Sequence, residues 1–115
     1  MNRIILAVFL IFGTSNLVSA QKHAPRLSYQ FRNLPGIYPE ASKRLLKVSD
    51  IEGLTSWDLK IMRNEIYARY GYIFKTQEMI QYFNNENWYY PRFNNVEHKL
   101  SAIEKKNIKF IKSYE

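Results

Sequence analysis

The apolar positions of the chain recur at helical spacing between residues 59 and 70. The residues that follow one another at intervals of three or four are Leu59, Met62, Ile66 and Tyr70. Thr55 and Asp58 precede this run with the spacing of a capping box, in which each side chain bonds to the other residue's backbone N–H. The pattern predicts a helix from Ser56 to about Tyr70. Gly71 then stands where a left-handed conformation commonly ends a helix.

Two longer stretches after Gly71 are also predicted to be helical. Thr76 can cap a helix that continues to about Asn84. Ser101 and Glu104 form a second capping box, which opens a helix to the C-terminus. The side chains expected to face inward are Met79, Ile80 and Phe83 in the first helix, and Ile103, Phe110, Ile111 and Tyr114 around Asn107 in the second.

Short helical turns are predicted before residue 55. Residues 38–42 place a proline and an acid ahead of Leu45 and Leu46, which suits the first turn of a short helix. Residues 50–53 indicate another single turn, which Gly53 can close. Residues 72–74 are expected to be extended, and residues 88–91 to form an aromatic loop. We therefore predict an all-α fold: a small single domain of about four short helices with an aromatic loop.

The first 20 residues have the pattern of a secretory signal peptide. Arg3 supplies the positive charge, residues 4–12 are continuously apolar, and residues 18–20 are small enough for cleavage after Ala20. A membrane anchor needs about 20 apolar residues, and residues 13–16 interrupt this run. We expect a secreted or periplasmic protein without a stable membrane anchor.

Residues 21–36 are predicted to be a basic tail or linker, followed by the helical domain at 37–115. The segment 21–36 contains three basic residues and no acid. Cleavage after Ala20 would lower the formal net charge from +7 to +6. Excess positive charge attracts polyanions. Export argues against nucleic acid as a partner and leaves anionic envelope polymers or lipid head groups. The alternative is a solvated basic surface that aids solubility.

Residues 67–71 read Tyr-Ala-Arg-Tyr-Gly and resemble the signature of the bacterial YARHG domain, which has histidine where this chain has Tyr70. Further segments with the family's pattern are 38–42, 82–83, 88–89, 100–104 and 107–108. The resemblance implies an extracellular module of no established activity. We expect Tyr70 to pack the helix end against the aromatic loop, in a role that requires ring shape and no proton transfer.

Two groups of side chains are candidates for ligand binding. The aromatic group combines flat apolar faces with polar tips, which suits sugar rings and peptides as well as a core; an asparagine rim lies beside it at positions 84, 85, 87 and 94. The second group contains Arg63 and Arg69, whose planar guanidinium groups could bind a carboxylate or phosphate. Alternatively, its arginines and Glu65, four residues before Arg69, attach the helix to the loops around Tyr72 and Trp88. The candidate binding residues are Arg63, Asn64, Tyr67, Arg69, Tyr72, Trp88 and Tyr89.

Signals for catalysis or cofactor binding are weak. The chain has no cysteine, and its two histidines, His23 and His98, form no ligand set at metal spacing. A carboxylate pair for glycoside cleavage could be drawn only from Glu65, Glu97 and Glu104. We expect no enzyme, metal or cofactor. The preferred function is an exported binding module at the cell envelope that recognises a glycan, peptide or anionic wall polymer; the alternatives are a carboxylate-dependent wall hydrolase and a protein-interaction or inhibitor module.

Overall fold

A computed structural model of the protein describes residues 34–115. The predicted signal peptide, its cleavage site and residues 21–33 of the predicted linker lie outside this range. The described part contains four α-helices and no strand, which confirms the predicted all-α class. The helices are α1 (Val48–Ile51), α2 (Ser56–Arg69), α3 (Gln77–Asn84) and α4 (Ala102–Tyr114), with 3₁₀ helices at Pro39–Ser42 and Glu97–Lys99. No helix between residues 34 and 115 combines the length and apolar character that a membrane crossing requires.

Helix α2 begins and ends where its local signals predict. The Thr55 hydroxyl accepts a hydrogen bond from the Asp58 amide at 3.1 Å, and the Asp58 carboxylate accepts one from the Thr55 amide at 2.9 Å. At the other end, Tyr70 is the C-cap and Gly71 has a φ of +80°. Left-handed geometry of this kind is accessible to glycine at little cost.

Opposite faces of α2 are buried in two apolar clusters. The first cluster joins α2 to α4 and to the 3₁₀ helix Pro39–Ser42. The second cluster joins α2 to α3 and to the aromatic loop. The buried members of the first are Ala41, Ile51, Leu59, Met62, Ile66, Leu100 and Ile111. Those of the second are Ile61, Ala68, Phe74, Met79, Phe83 and Tyr89. Because both faces of α2 are apolar, it is the central element of the domain.

The second cluster is largely aromatic. Phe74 and Phe83 stack with ring centroids 4.7 Å apart, and Trp88 meets Phe83 edge to face at 6.0 Å. Met79 and Phe83 of α3 are buried and Ile80 is half-buried, as predicted. Thr76 is the N-cap of α3, but its side chain makes no capping bond.

Helix α4 buries only part of the predicted face, which includes Asn107 and Ile111. Its buried residues are Glu104, Asn107 and Ile111, whereas Ile103 is 37% and Tyr114 is 50% exposed. The prediction was wrong for Ile103 and Tyr114, because the buried face turns toward Glu104, whose carboxylate accepts a hydrogen bond from Tyr70. Phe110 lies at the border of the buried face of α4 and is half-buried.

Asn107 shows why a polar residue lies at the centre of α4. Its amide nitrogen donates to the carbonyls of Ala41 and Arg44, both at 2.8 Å, and its oxygen accepts from the Leu46 amide at 3.0 Å. One side chain thus satisfies three backbone groups of the turn before α1. The predicted core asparagine that caps loop carbonyls is confirmed. Leu45, which the sequence placed in a helix, is 52% exposed after the 3₁₀ helix ends.

Glu65 and Arg69 of α2 attach the segment 35–42 to the domain. Both side chains are almost fully buried, and they pair at 3.1 Å. Glu65 accepts from the amides of Ile37 and Tyr38 at 2.7 and 2.9 Å. Arg69 donates to the Pro35 carbonyl at 2.7 Å, to the Tyr38 carbonyl and to a serine hydroxyl. We call Glu65, Arg69 and these contacts the N-terminal anchor.

The N-terminal anchor corrects two sequence-based expectations. Its contacts reach Pro35, although the sequence placed residues up to 36 in the linker. The pair also binds the segment 35–42, and not the loops around Tyr72 and Trp88. Gly36 has a φ of +111°, and a Cβ there would lie 2.6 Å from a carboxylate oxygen of Glu65. Only glycine lets the backbone approach so closely.

Candidate functional site

The described part of the chain contains an open groove of about 360 Å³ beside α2. One wall comes from the last turns of α2 and the residue after its glycine exit, and the other from residues 94–97. The lining residues are Arg63, Asn64, Tyr67, Tyr72, Asn94, Asn95, Val96 and Glu97. Four of the predicted binding residues, Arg63, Asn64, Tyr67 and Tyr72, are therefore brought together.

Backbone hydrogen bonds hold the second wall against the end of α2. The Gly71 carbonyl accepts from the amides of Arg92 and Phe93 at 2.8 and 2.9 Å, and the Ile73 amide donates to the Phe93 carbonyl at 2.8 Å. Tyr72 and Phe93 form an isolated parallel bridge. At Gly71 a Cβ would lie 2.9 Å from the Tyr90 carbonyl oxygen. The glycine therefore permits both the helix exit and the close approach of the loop.

The two tyrosines of the groove differ from the buried tyrosine that supports them. Tyr67 and Tyr72 are half-buried, and their rings pack at a centroid distance of 5.8 Å. No residue between 34 and 115 forms a hydrogen bond with either hydroxyl. Tyr89, by contrast, is 9% exposed and donates to the Tyr72 carbonyl at 2.6 Å. Tyr89 therefore positions Tyr72 without lining the groove.

Charged groups lie close to the Tyr67 hydroxyl. Burial raises the pKa of Tyr67, the nearby Glu97 raises it further, and Arg63 opposes the rise. The phenol is therefore neutral at pH 7 and can donate a hydrogen bond. Within the described chain, no hydrogen-bond donor reaches the Glu97 carboxylate.

Arg63 is held at the edge of the groove by Glu115. Its Nε and Nη2 donate to the two oxygens of the Glu115 carboxylate at 2.5 and 2.8 Å. This hydrogen bonding lowers the pKa of the Glu115 carboxyl. Nη1 of Arg63 has no acceptor among residues 34–115, so one face of the fork can still donate to a ligand.

The asparagines of the groove each use one end of the amide within the protein. Asn64 donates to the Lys60 carbonyl at 2.9 Å, Asn94 accepts from Lys75 at 3.0 Å, and Asn95 accepts from the Glu97 amide at 2.9 Å. The opposite amide atoms, Oδ1 of Asn64 and Nδ2 of Asn94 and Asn95, have no protein partner in the described range. These contacts fix the amides in position and leave a donor or acceptor on each.

Three predicted site residues do not line the groove. Arg69 belongs to the N-terminal anchor, where its side chain is 4% exposed. Trp88 and Tyr89 pack in the second apolar cluster. Of the predicted asparagine rim, Asn94 alone lines the groove. Asn95 and Val96 were not predicted, and Glu97 was considered only as a carboxylate of the hydrolase alternative. The paired asparagines at 94 and 95 were the available signal, but nothing in the sequence places them opposite α2.

Tyr70 has a partner other than the predicted one. Its hydroxyl donates to the buried carboxylate of Glu104 at 2.6 Å, and its ring packs at the first apolar cluster. The expectation that it packs on the aromatic loop was wrong, because α4 supplies a closer polar partner. Burial, reinforced by the bond to Glu104, raises the pKa of the Tyr70 hydroxyl well above its ordinary value.

The five residues 67–71 form the last turn of α2 and its exit, and each has a separate contact. Tyr67 lines the groove, and Ala68 is buried in the second cluster. Arg69 binds the segment 35–42, and Tyr70 binds α4. Gly71 accepts the loop that forms the second wall of the groove. The motif thus connects the separate parts of the domain.

Metal binding has little support in the described chain. Among residues 34–115, no group of three His, Cys, Asp or Glu side chains lies close enough together to hold a metal ion. His98 is exposed on the 3₁₀ helix Glu97–Lys99, and His23 lies outside the described range.

Comparison with known proteins identifies a family. The sequence model described as the YARHG domain matches residues 35–115, a range that includes all four helices, the groove and Pro35 of the N-terminal anchor. No curated protein and no solved structure shows significant similarity to the chain. Domains of this family are generally of the extracellular type. Because the match covers well over half of its residues, the chain belongs to the YARHG domain family.

Proposed function

We propose that the protein is an exported, non-catalytic binding module that takes a glycan of the cell envelope into the groove. The observation that carries this proposal is the set of positioned polar atoms in the groove that no residue between 34 and 115 binds. Two buried or partly buried side chains of the same types contrast with them: Tyr70 binds Glu104, and Asn107 binds three backbone groups. Export is supported by the extracellular character of the family and by the signal-peptide pattern of residues 1–20.

A sugar matches both kinds of surface in the groove. Tyr67 and Tyr72 offer aromatic faces with hydroxyl tips, which suit the apolar face and the hydroxyl groups of a pyranose ring. The asparagine amides can donate or accept, and Nη1 of Arg63 can donate, in the directions that hydroxyl groups require. A few fixed polar groups around an aromatic surface are typical of small-ligand sites.

The carboxylates near the groove favour binding over hydrolysis. Of the eight lining residues, Glu97 alone is acidic. Glu115 lies nearby, but its carboxylate is bound by Arg63. Glycoside hydrolases of the common types use two carboxyl groups within about 10 Å on either side of the bond. Glu65 and Glu104, the other carboxylates considered from the sequence, are buried in contacts with Arg69 and Tyr70.

The test is a titration of the purified protein with soluble glycan fragments of purified cell wall. Binding is monitored through the NMR chemical shifts of the backbone amides. We expect shifts at Tyr72 and residues 94–97. Tyr67→Phe removes a hydroxyl that no described residue binds, so we expect binding about tenfold weaker. The matched control is Tyr114→Phe, which removes an exposed hydroxyl at the end of α4 and should bind as the parent does.

Three outcomes would contradict the proposal. Equal binding by Tyr67→Phe and the parent would remove the groove from the interaction. Shifts with wall stem peptides and none with the glycan would identify a peptide site. Release of reducing ends from the glycan would show a hydrolase.

A further inference from the structure

The solvent face of α4 concentrates positive charge. Its lysines, Lys105, Lys106, Lys109 and Lys112, are all exposed, and we call them the lysine face. Lys105, Lys109 and Lys112 follow one another at spacings of four and three, so they form one row of roughly 10 Å along the helix. The face lies opposite the buried residues Glu104, Asn107 and Ile111.

No acid in the described structure forms an ion pair with the lysine face, although Glu115 lies close enough to Lys112 to be influenced by its charge. None of its four lysines takes part in an ion pair with a residue between 34 and 115, whereas the arginines at 44, 63 and 69 and the lysine at 60 do. The acid within α4 and the acid just after it both contact residues outside the lysine face. Glu104 is buried against Tyr70, and Glu115 is bound by Arg63.

Local stability does not account for this arrangement. Lysines four residues apart, such as Lys105 and Lys109, repel each other on a helix. The helix dipole favours cations in the last turn, which suits Lys112 but not Lys105 or Lys106 in the first half. No acid stands three or four residues before any of the four lysines to offset the repulsion.

We infer that the lysine face is a binding surface for a linear anionic polymer, which is a site separate from the groove. A chain with regularly spaced phosphate or carboxylate groups can place successive anions along the lysine row. An anionic membrane is a poorer match, because membrane-surface helices also insert apolar side chains. The exposed residues beside the lysines are Ala102 and Ser113, while Ile103 and Tyr114 lie at the flank.

The test uses the purified protein and long-chain inorganic polyphosphate as the probe, with affinity measured over a salt series. The test variant combines Lys105→Gln, Lys109→Gln and Lys112→Gln. The matched control combines Lys43→Gln, Lys47→Gln and Arg92→Gln, which removes the same charge from exposed positions outside α4. We expect affinity about tenfold weaker or more, and a salt slope lower by about 2, in the test variant. The control should change the affinity by less than about threefold.

A second variant with Lys105, Lys109 and Lys112 each replaced by Arg keeps the charge and should bind as the parent does. It separates loss of charge from loss of fold, and melting curves of all variants check the latter. Absence of polyphosphate binding by the parent at low salt would overturn the inference. An equal loss in the control triple would also overturn it, because binding would then follow net charge alone. Binding to phosphatidylglycerol vesicles without binding to the polymer would identify a membrane surface instead.

Discussion

The N-terminal anchor and the groove both use polar side chains of α2, but they satisfy those side chains differently. Glu65 and Arg69 are almost fully buried, and four backbone groups and a serine hydroxyl surround them. Arg63, Asn64 and Tyr67 are half-buried and keep polar atoms without a partner in residues 34–115. The polar side chains on one side of α2 are used up in the fold, whereas those on another side remain available to the ligand of the proposed function. Substitutions should therefore separate the two roles.

The largest loss of stability is expected for Arg69→Ala. Removing one partner of a buried ion pair leaves the other charge unpaired and costs about 3 to 5 kcal/mol. It also leaves the Pro35 and Tyr38 carbonyls without their donor. For a domain of this size, about 4 to 8 °C of melting temperature is lost per kcal/mol. Thermal unfolding followed by circular dichroism measures the change, and an unaltered melting curve with lost ligand binding would assign Arg69 to recognition.

Asn107→Ala should have the next largest effect, about 2 to 3 kcal/mol, because it removes one side chain that satisfies three buried or partly buried backbone groups. The matched control is Asn94→Ala at the groove, where an exposed amide is lost and stability should change by less than about 0.5 kcal/mol. Urea unfolding of both variants gives the comparison. Equal losses would show that the two asparagines do not differ in role.

Tyr70→Phe should cost about 1 to 2 kcal/mol, because the buried Glu104 loses a hydrogen-bond donor. The folded protein raises the pKa of Tyr70 above its ordinary 10.0, so this contribution is fully present below pH 10 and is lost as the pH rises beyond it. Stability of the parent should therefore fall above about pH 10, and more steeply than that of Tyr70→Phe. If the free energies of unfolding of the parent and of Tyr70→Phe fell equally steeply above pH 10, this account would be contradicted.

Tyr70→His restores the histidine of the family signature and gives a related test. We expect a folded protein, a stability loss of about 1 to 2 kcal/mol, and no gain of wall hydrolysis or zinc binding. A gain of either activity would assign position 70 a chemical role and revive the hydrolase alternative.

Arg63→Gln should have the smallest effect on stability, about 0.5 to 1 kcal/mol, because its pair with Glu115 lies at the surface. Arg63 lowers the pKa of Glu115 below its ordinary 4.5, so the pair stabilises the fold above that pH and stops doing so as the pH falls through the lowered value. The variant and the parent should converge in acid. Urea unfolding over a series of pH values from 7 downwards measures the convergence, and a gap that does not narrow as the pH falls below 4.5 would contradict the assignment.

Local signals predicted the helices well. Thr55, Asp58, Ser101 and Glu104 mark helix starts because a capping box needs only neighbouring residues. Gly71 marks the end of α2 for the same reason. The pattern failed in part on α4, where periodicity favoured Ile103 and could not show that Glu104 would be buried beside Asn107 and Ile111.

Distant pairs could not be predicted in the same way. Arg69 meets Pro35, Tyr70 meets Glu104 and Arg63 meets Glu115, and each pair is far apart along the chain. Such contacts depend on how the helices pack. The residues of the candidate site show the same difference between local and distant contacts. Arg63, Asn64, Tyr67 and Tyr72 were found because they lie on one helix end, whereas residues 95–97 come from a loop that only tertiary structure brings opposite them.

The central position of α2 has a consequence for how the domain opens. Leu59, Met62 and Ile66 belong to one apolar cluster and Ile61 and Ala68 to the other, so neither cluster can separate from α2 without exposing it. The middle of α2 should therefore exchange its amide hydrogens only through unfolding of the whole domain, while α1 and the Glu97–Lys99 turn should exchange through local fluctuations. Residues 34–115 should accordingly unfold in a single cooperative transition, although they contain two apolar clusters.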